Sequence, residues 1–126
     1  MIKPFCSGGY LKDFLEKKKE ITEDNIISLI MQLLSVVDYL HSKNIVHRDI
    51  SSNAILVDSS KKSEIDYIQL MSFDNAMILH NKKQLIERRV SNHLAFVSPE
   101  QFKGKYDRKC DEYAVGVLMY FMLSGH

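Results

Sequence analysis

Cysteine is scarce in this 126-residue chain, which has only Cys6 and Cys110. Two thiols so far apart cannot build a disulfide framework and match no metal-ligand spacing. Reduced thiols in a cytoplasmic protein are the reading that fits. Charge excess is missing too: 17 basic and 16 acidic side chains leave a net charge of +1. That balance gives no reason to expect nucleic acid or an anionic membrane as partner. Charge gathers only at Lys17-Lys18-Lys19 and Glu87-Arg88-Arg89, runs short enough to be solvated faces. The longest apolar run, from Tyr113 to Leu123, falls well short of the about twenty residues a membrane span takes, so it is expected as a buried core helix. No charged segment followed by an apolar run opens the chain, and no signal peptide is visible. Repeats and low-complexity tracts are absent, and the length suits one domain with a real core.

Against these absences, 45% hydrophobic and 26% charged residues describe an ordinary globular composition. The first residues read as an extended piece ending in a turn at Ser7-Gly8-Gly9. Leu11, Phe14 and Leu15 have the spacing of a helix over 10–19 with one buried face. Thr22 is a good N-cap, with Glu23 and Asp24 at the positive end of the helix dipole. The helix it opens is predicted to run to about Ser42, with Ile26, Ile27, Ile30, Leu33, Leu34, Val37 and either Tyr39 or Leu40 on its apolar stripe. Residues 45–57 read as a loop followed by a strand, and residues 65–71 as a second strand, with a polar turn between them. From 72 to 100 periodicity fades, which marks a functional or mobile segment. Asp111 is expected to cap the apolar helix that follows.

The chemistry concentrates in His47-Arg48-Asp49, followed after four intervening residues by Ala54 and the apolar strand Ile55-Leu56-Val57. That order resembles a protein-kinase catalytic loop, which reads His-Arg-Asp, four residues, then Asn. Three further motifs carry the resemblance: Phe5-Cys6-Ser7-Gly8-Gly9 as the hinge, Val97-Ser98-Pro99-Glu100 as Ala-Pro-Glu, and Gly104 to Asp111 with Gly116 to Tyr120 as the central helix and its approach. The chain resembles the large lobe of a protein kinase, closest to the calcium/calmodulin-type and calcium-dependent serine/threonine kinases. The resemblance implies a mainly helical α+β fold, a partial large lobe over 1–126 with a short β-hairpin. It places the small lobe and the last large-lobe helices outside these residues. No EF-hand loop is seen, so calcium control is not expected within them.

The departures from the pattern fall on the chemical residues. Ala54 stands where a magnesium-binding Asn is usual, and Ser51 where serine/threonine kinases carry a Lys. In one register Ser72 takes the place of the metal-binding Asp of Asp-Phe-Gly, with Phe73 retained; in the other Asp74 is the metal ligand. Asp49 would be the catalytic base or, without metal, a brace for its own loop. On the family pattern His47 packs on Phe73 and bonds to the central helix near Asp111, which is expected to tie down the 47–49 loop. Arg48 can pair with an acidic or phosphorylated group; Ser91 and Ser98 lie in that segment. Phe5, Cys6 and Leu56 match adenine contacts, although Leu56 also reads as a strand core residue. Tyr10 replaces a Glu that meets ribose or a substrate arginine, and Glu100 has its family partner beyond residue 126.

Two functional readings follow. One is a catalytically impaired pseudokinase that binds or regulates a protein partner or other domains of its parent chain, with no cofactor. The other is an ATP- and Mg2+-dependent serine/threonine kinase using Asp49 as base. Incomplete surroundings for the 113–123 run also lead us to expect a homo-oligomer formed through it.

Overall fold

The structure, a computed structural model, describes residues 6–17, 21–59, 64–87 and 93–125. In chain order it opens with strand β1 (Gly9–Tyr10) and helices α1 (Leu11–Lys17) and α2 (Glu23–Ser42). Strands β2 (Ile45–Val46), β3 (Ile55–Asp58) and β4 (Tyr67–Leu70) follow. The rest holds β5 (Met77–Ile78), β6 (Ile86–Glu87), helix α3 (Pro99–Phe102), β7 (Lys105–Tyr106) and helix α4 (Lys109–Ser124). The fold is therefore the expected mix of helix and short antiparallel strands.

Helix α2 starts where its cap says it should: Thr22 is extended and its hydroxyl accepts from the Asn25 amide at 3.3 Å. Ile26, Leu29, Ile30, Leu33, Val37 and Leu40 are buried on one face. Ile27 and Leu34, expected on the stripe, are exposed, because at 100° per residue they lie roughly a quarter turn round from that face. Leu29 takes the place they were given. The helix is long and apolar enough to cross a membrane by length and composition, but its apolar face is spent on packing against α4 and the sheet.

The expected hairpin gains a third strand. β3 pairs antiparallel with β4 and with β1, in the order β1-β3-β4. Tyr10 belongs to β1 and not to the helix, and Asp58 extends β3 into the segment read as turn. Ile55 and Val57 point into the main core, and so do Ile68 and Leu70 opposite them. Gly8 is required here: its amide donates to the Val57 carbonyl at 2.9 Å, and a Cβ would sit 2.8 Å from that oxygen.

The described parts of the 72–100 segment, 72–87 and 93–100, are more ordered than the missing periodicity suggested. β5 pairs with β2, and β6 with β7, so two-residue ladders fold it back along the chain. A second, smaller core of Val46, Leu79, Ile86, Tyr106 and Cys110 lies beneath it. Such short ladders leave no sequence period to detect.

Helix α4 corrects two expectations. Asp111 does not cap it; Arg108 stands at the cap and the Asp107 carboxylate accepts from the Lys109 amide at 2.8 Å. Nor is the 113–123 run enclosed. Ala114, Val115, Leu118 and Met122 are buried, whereas Tyr113, Met119, Tyr120 and Leu123 are exposed on the opposite side with Gly116. Composition alone counted apolar residues; the helical period divides them between two faces.

Candidate functional site

The site is hung from one buried carboxylate. Asp111, 1% exposed, turns its side chain away from its own helix. Its Oδ2 accepts from the His47 amide and from His41 Nε2, both at 2.9 Å, and its Oδ1 accepts from the Arg48 amide at 2.8 Å. Three donors satisfy the carboxylate and make its burial tolerable. They also fix the loop, for they hold Arg48 in a left-handed conformation (φ 68) that a side chain otherwise disfavours. Sequence reasoning found the tie between Asp111 and the loop but missed His41. Beside it, burial and then the Asp111 charge push the Cys110 thiol well above its usual range.

His47 is fully buried. Its Nε2 donates to the Met71 carbonyl at 2.7 Å, and its Nδ1 accepts from the Asp49 amide at 3.3 Å. A carbonyl can only accept, so these partners select the neutral tautomer protonated at Nε2. It is the main chain of His47 that reaches Asp111; the ring serves Met71 and meets Phe73 edge-on at 4.8 Å between centroids. Ser72, left-handed at φ 62, makes the turn that delivers Phe73. Phe73 touches His47 yet remains 44% exposed.

Arg48 Nε donates to the Asn75 carbonyl at 2.5 Å. Its guanidinium lies beside Tyr106, whose hydroxyl is raised above its ordinary value chiefly by burial, with Arg48 opposing the shift. Ser91 lies outside the described residues, and Ser98 is fully buried, its amide donating to Gln101 Oε1 at 2.9 Å. Ser98 is therefore closed to modification in this conformation. Glu100 sits half-buried in α3.

Asp49, 9% exposed, is engaged at both oxygens. Asn75 Nδ2 donates to Oδ2, and His93 Nδ1 meets Oδ1, each at 3.0 Å. Neither contact was legible beforehand: Asn75 and His93 come from a segment without periodicity, and only the folded chain brings them to residue 49. Ser51 is fully buried, its hydroxyl without a partner among the described residues. Ala54 is packed into the main core at 2% exposure, and its carbonyl accepts from the Met71 amide at 2.7 Å.

These residues give a magnesium ion few protein ligands. The ion demands near-octahedral oxygen ligation, normally with a carboxylate or two from the protein. Ala54 offers no side-chain oxygen, Ser72 only an exposed hydroxyl, and Asp74 a single exposed carboxylate. The Asp49 carboxylate is held by two side chains of the same chain.

The sheet face turned away from the core carries apolar and polar side chains together. Leu56 is half-buried on the sheet face opposite Ile55 and Val57, so it is not the strand core residue that one reading made it. It shares that face with Tyr10 and Gln69, its cross-strand neighbours. Cys6 is buried, its Sγ 3.7 Å from Gln69 Oε1. The neighbouring Ser7 hydroxyl and amide donate to Asp58 and hold its carboxyl below the usual range. Tyr10 is exposed. Phe5 lies outside the described residues.

A His-Arg-Asp loop suspended from a buried helix carboxylate and flanked by an antiparallel sheet defines a protein-kinase-type catalytic loop. Residues 1–126 match the family described as protein kinase domain, and the chain belongs to that family. It is 36% identical over 127 residues to calcium-dependent protein kinase 5 of Plasmodium berghei (strain Anka), covering 100% of this chain and 22% of that protein. It is 31% identical over 130 residues to serine/threonine-protein kinase 33 of Bos taurus, covering 99% of this chain and 27% of that protein. It is also 29% identical over 126 residues to the probable serine/threonine-protein kinase zyg-1 of Caenorhabditis briggsae, covering 100% of this chain and 17% of that protein. The chain thus spans at most 27% of the length of these three relatives. It is a segment of a kinase domain related to calcium-dependent and serine/threonine kinases.

Proposed function

We propose that this chain is the large-lobe part of a catalytically silent kinase domain, a cytoplasmic pseudokinase module that works by binding and not by phosphoryl transfer. One observation carries the reading: both Asp49 oxygens are taken by Asn75 and His93 of the same chain, beside positions 54 and 72, which offer no carboxylate or amide to a metal. Phosphoryl transfer depends on cations that offset charge on the moving group. A site without their ligands keeps only shape. The face around Leu56 can still take an adenine ring by apolar contact.

Calorimetric titration of the full-length protein with ATP, with and without magnesium, tests this directly. The expected result is an affinity that magnesium changes by less than about threefold, well below the 1.4 kcal/mol that a tenfold change represents. Tightening by tenfold or more that disappears in Asp74→Ala would establish the other reading, a kinase with Asp74 as its metal ligand.

The binding role also has a surface. Tyr113, Met119, Tyr120 and Leu123 form an exposed apolar face on α4, and a net charge of +1 offers little repulsion between copies. Self-association through this face belongs to the proposal, and Tyr120→Glu is expected to abolish it. A species that remains monomeric at tens of micromolar in analytical ultracentrifugation would eliminate it.

A further inference from the structure

Residues 93–98 are pinned at both ends, and the two pins differ. At the far end Phe96 packs on Phe121 with ring centroids 5.7 Å apart, Val97 is 4% exposed, and Ser98 is fully buried. At the near end stands His93, whose Nδ1 lies 3.0 Å from Asp49 Oδ1, with side chains 33% and 10% exposed. Between them is one turn of 3-10 helix, Leu94–Phe96, closed by the Phe96 amide on the His93 carbonyl at 2.9 Å and the Val97 amide on the Leu94 carbonyl at 3.2 Å.

We infer that His93 is a latch that fastens this turn to the catalytic loop by occupying Asp49. The inference deepens the proposed function, because it identifies what fills the site in place of a substrate hydroxyl. The contact is polar, partly exposed, and joined to a loop that is itself fixed by Asp111. Asn75 supports it from the other side, for it holds Asp49 Oδ2 while its own carbonyl receives Arg48 Nε. Any group that uses Asp49 must share its carboxylate with His93 or displace it. Displacement frees the front of the turn and leaves Phe96 and Val97 as the hinge.

Amide hydrogen exchange on the full-length protein reads the latch without reference to turnover. In His93→Ala the Phe96 and Val97 amides are expected to exchange about fivefold faster, since a partly exposed charge-assisted bond is worth about that factor in local opening. Amides in the middle of α2 should not change, which separates local release from global loss of stability. His93→Gln, which keeps a donor, is expected to recover part of the protection. Asp49→Ala should reproduce the effect, and the double variant should add nothing to it. Exchange at Phe96 and Val97 within twofold of wild type in His93→Ala overturns the latch, as do additive effects of the two substitutions. A latch that fails this way leaves catalytic silence untouched, and an active enzyme leaves the exchange result standing.

Discussion

Replacing Asp111 with alanine is expected to cost about 3–5 kcal/mol of unfolding free energy, the usual scale for breaking a buried charged network from one side. The carboxylate is 1% exposed and accepts from three N–H donors, His41 Nε2 and the amides of His47 and Arg48, and more weakly from the Cys110 thiol at 3.9 Å. Each buried donor left without a partner costs roughly 1–3 kcal/mol. Water entering the cavity left by the side chain returns part of that, so the loss should fall below the full sum. A domain has only about 5–15 kcal/mol of stability to lose. Urea denaturation followed by circular dichroism measures the difference. Glu112→Ala, which removes only an exposed carboxylate 4.0 Å from His41 Nδ1, should cost no more than about 1 kcal/mol. A cost under 1 kcal/mol for Asp111→Ala would show that the loop does not depend on this carboxylate. Asp111→Asn should be intermediate, because the amide keeps one acceptor and turns a donor toward a donor.

Phosphoryl transfer by the full-length protein, with ATP and magnesium, is expected at background, and Asp49→Asn is expected to leave it there. Removing a single preorganised electrostatic group commonly costs about 100- to 1000-fold in turnover. This site lacks the Asn at 54, the acid at 72 and the lysine at 51, and its carboxylate is shielded by His93. Those losses do not multiply cleanly, but even two of them acting independently remove a factor of about ten thousand or more. A radiometric assay with a generic basic protein as acceptor has the range to see this. Turnover that exceeds the no-enzyme rate and vanishes in Asp49→Asn would end the pseudokinase reading.

Much of the scaffold was legible in the sequence because it is written in short-range signals. Thr22 followed by Glu23 and Asp24 announces a helix start, and the helix begins there. The order of His47, Arg48, Asp49 and the apolar strand places the loop, and Asp111 was correctly tied to it. What the sequence hid is long-range. His41 reaches Asp111 across 70 residues, and His93 reaches Asp49 across 44. No period or local motif encodes such meetings. The apolar count of α4 misled for a related reason, since a run says how much is apolar and only the fold says which side is covered. Leu56 was ambiguous until its register against Tyr10 and Gln69 showed which face of the sheet it occupies.

Met71 shows what this architecture permits. Its amide is taken by Ala54 and its carbonyl by His47, so the strand exit is stitched to the loop by main-chain atoms and one imidazole. Side chains at 51, 54 and 72 take no part in that stitching. Substitution at those three positions can therefore change what the site offers chemically while the main-chain frame around it stays as it is.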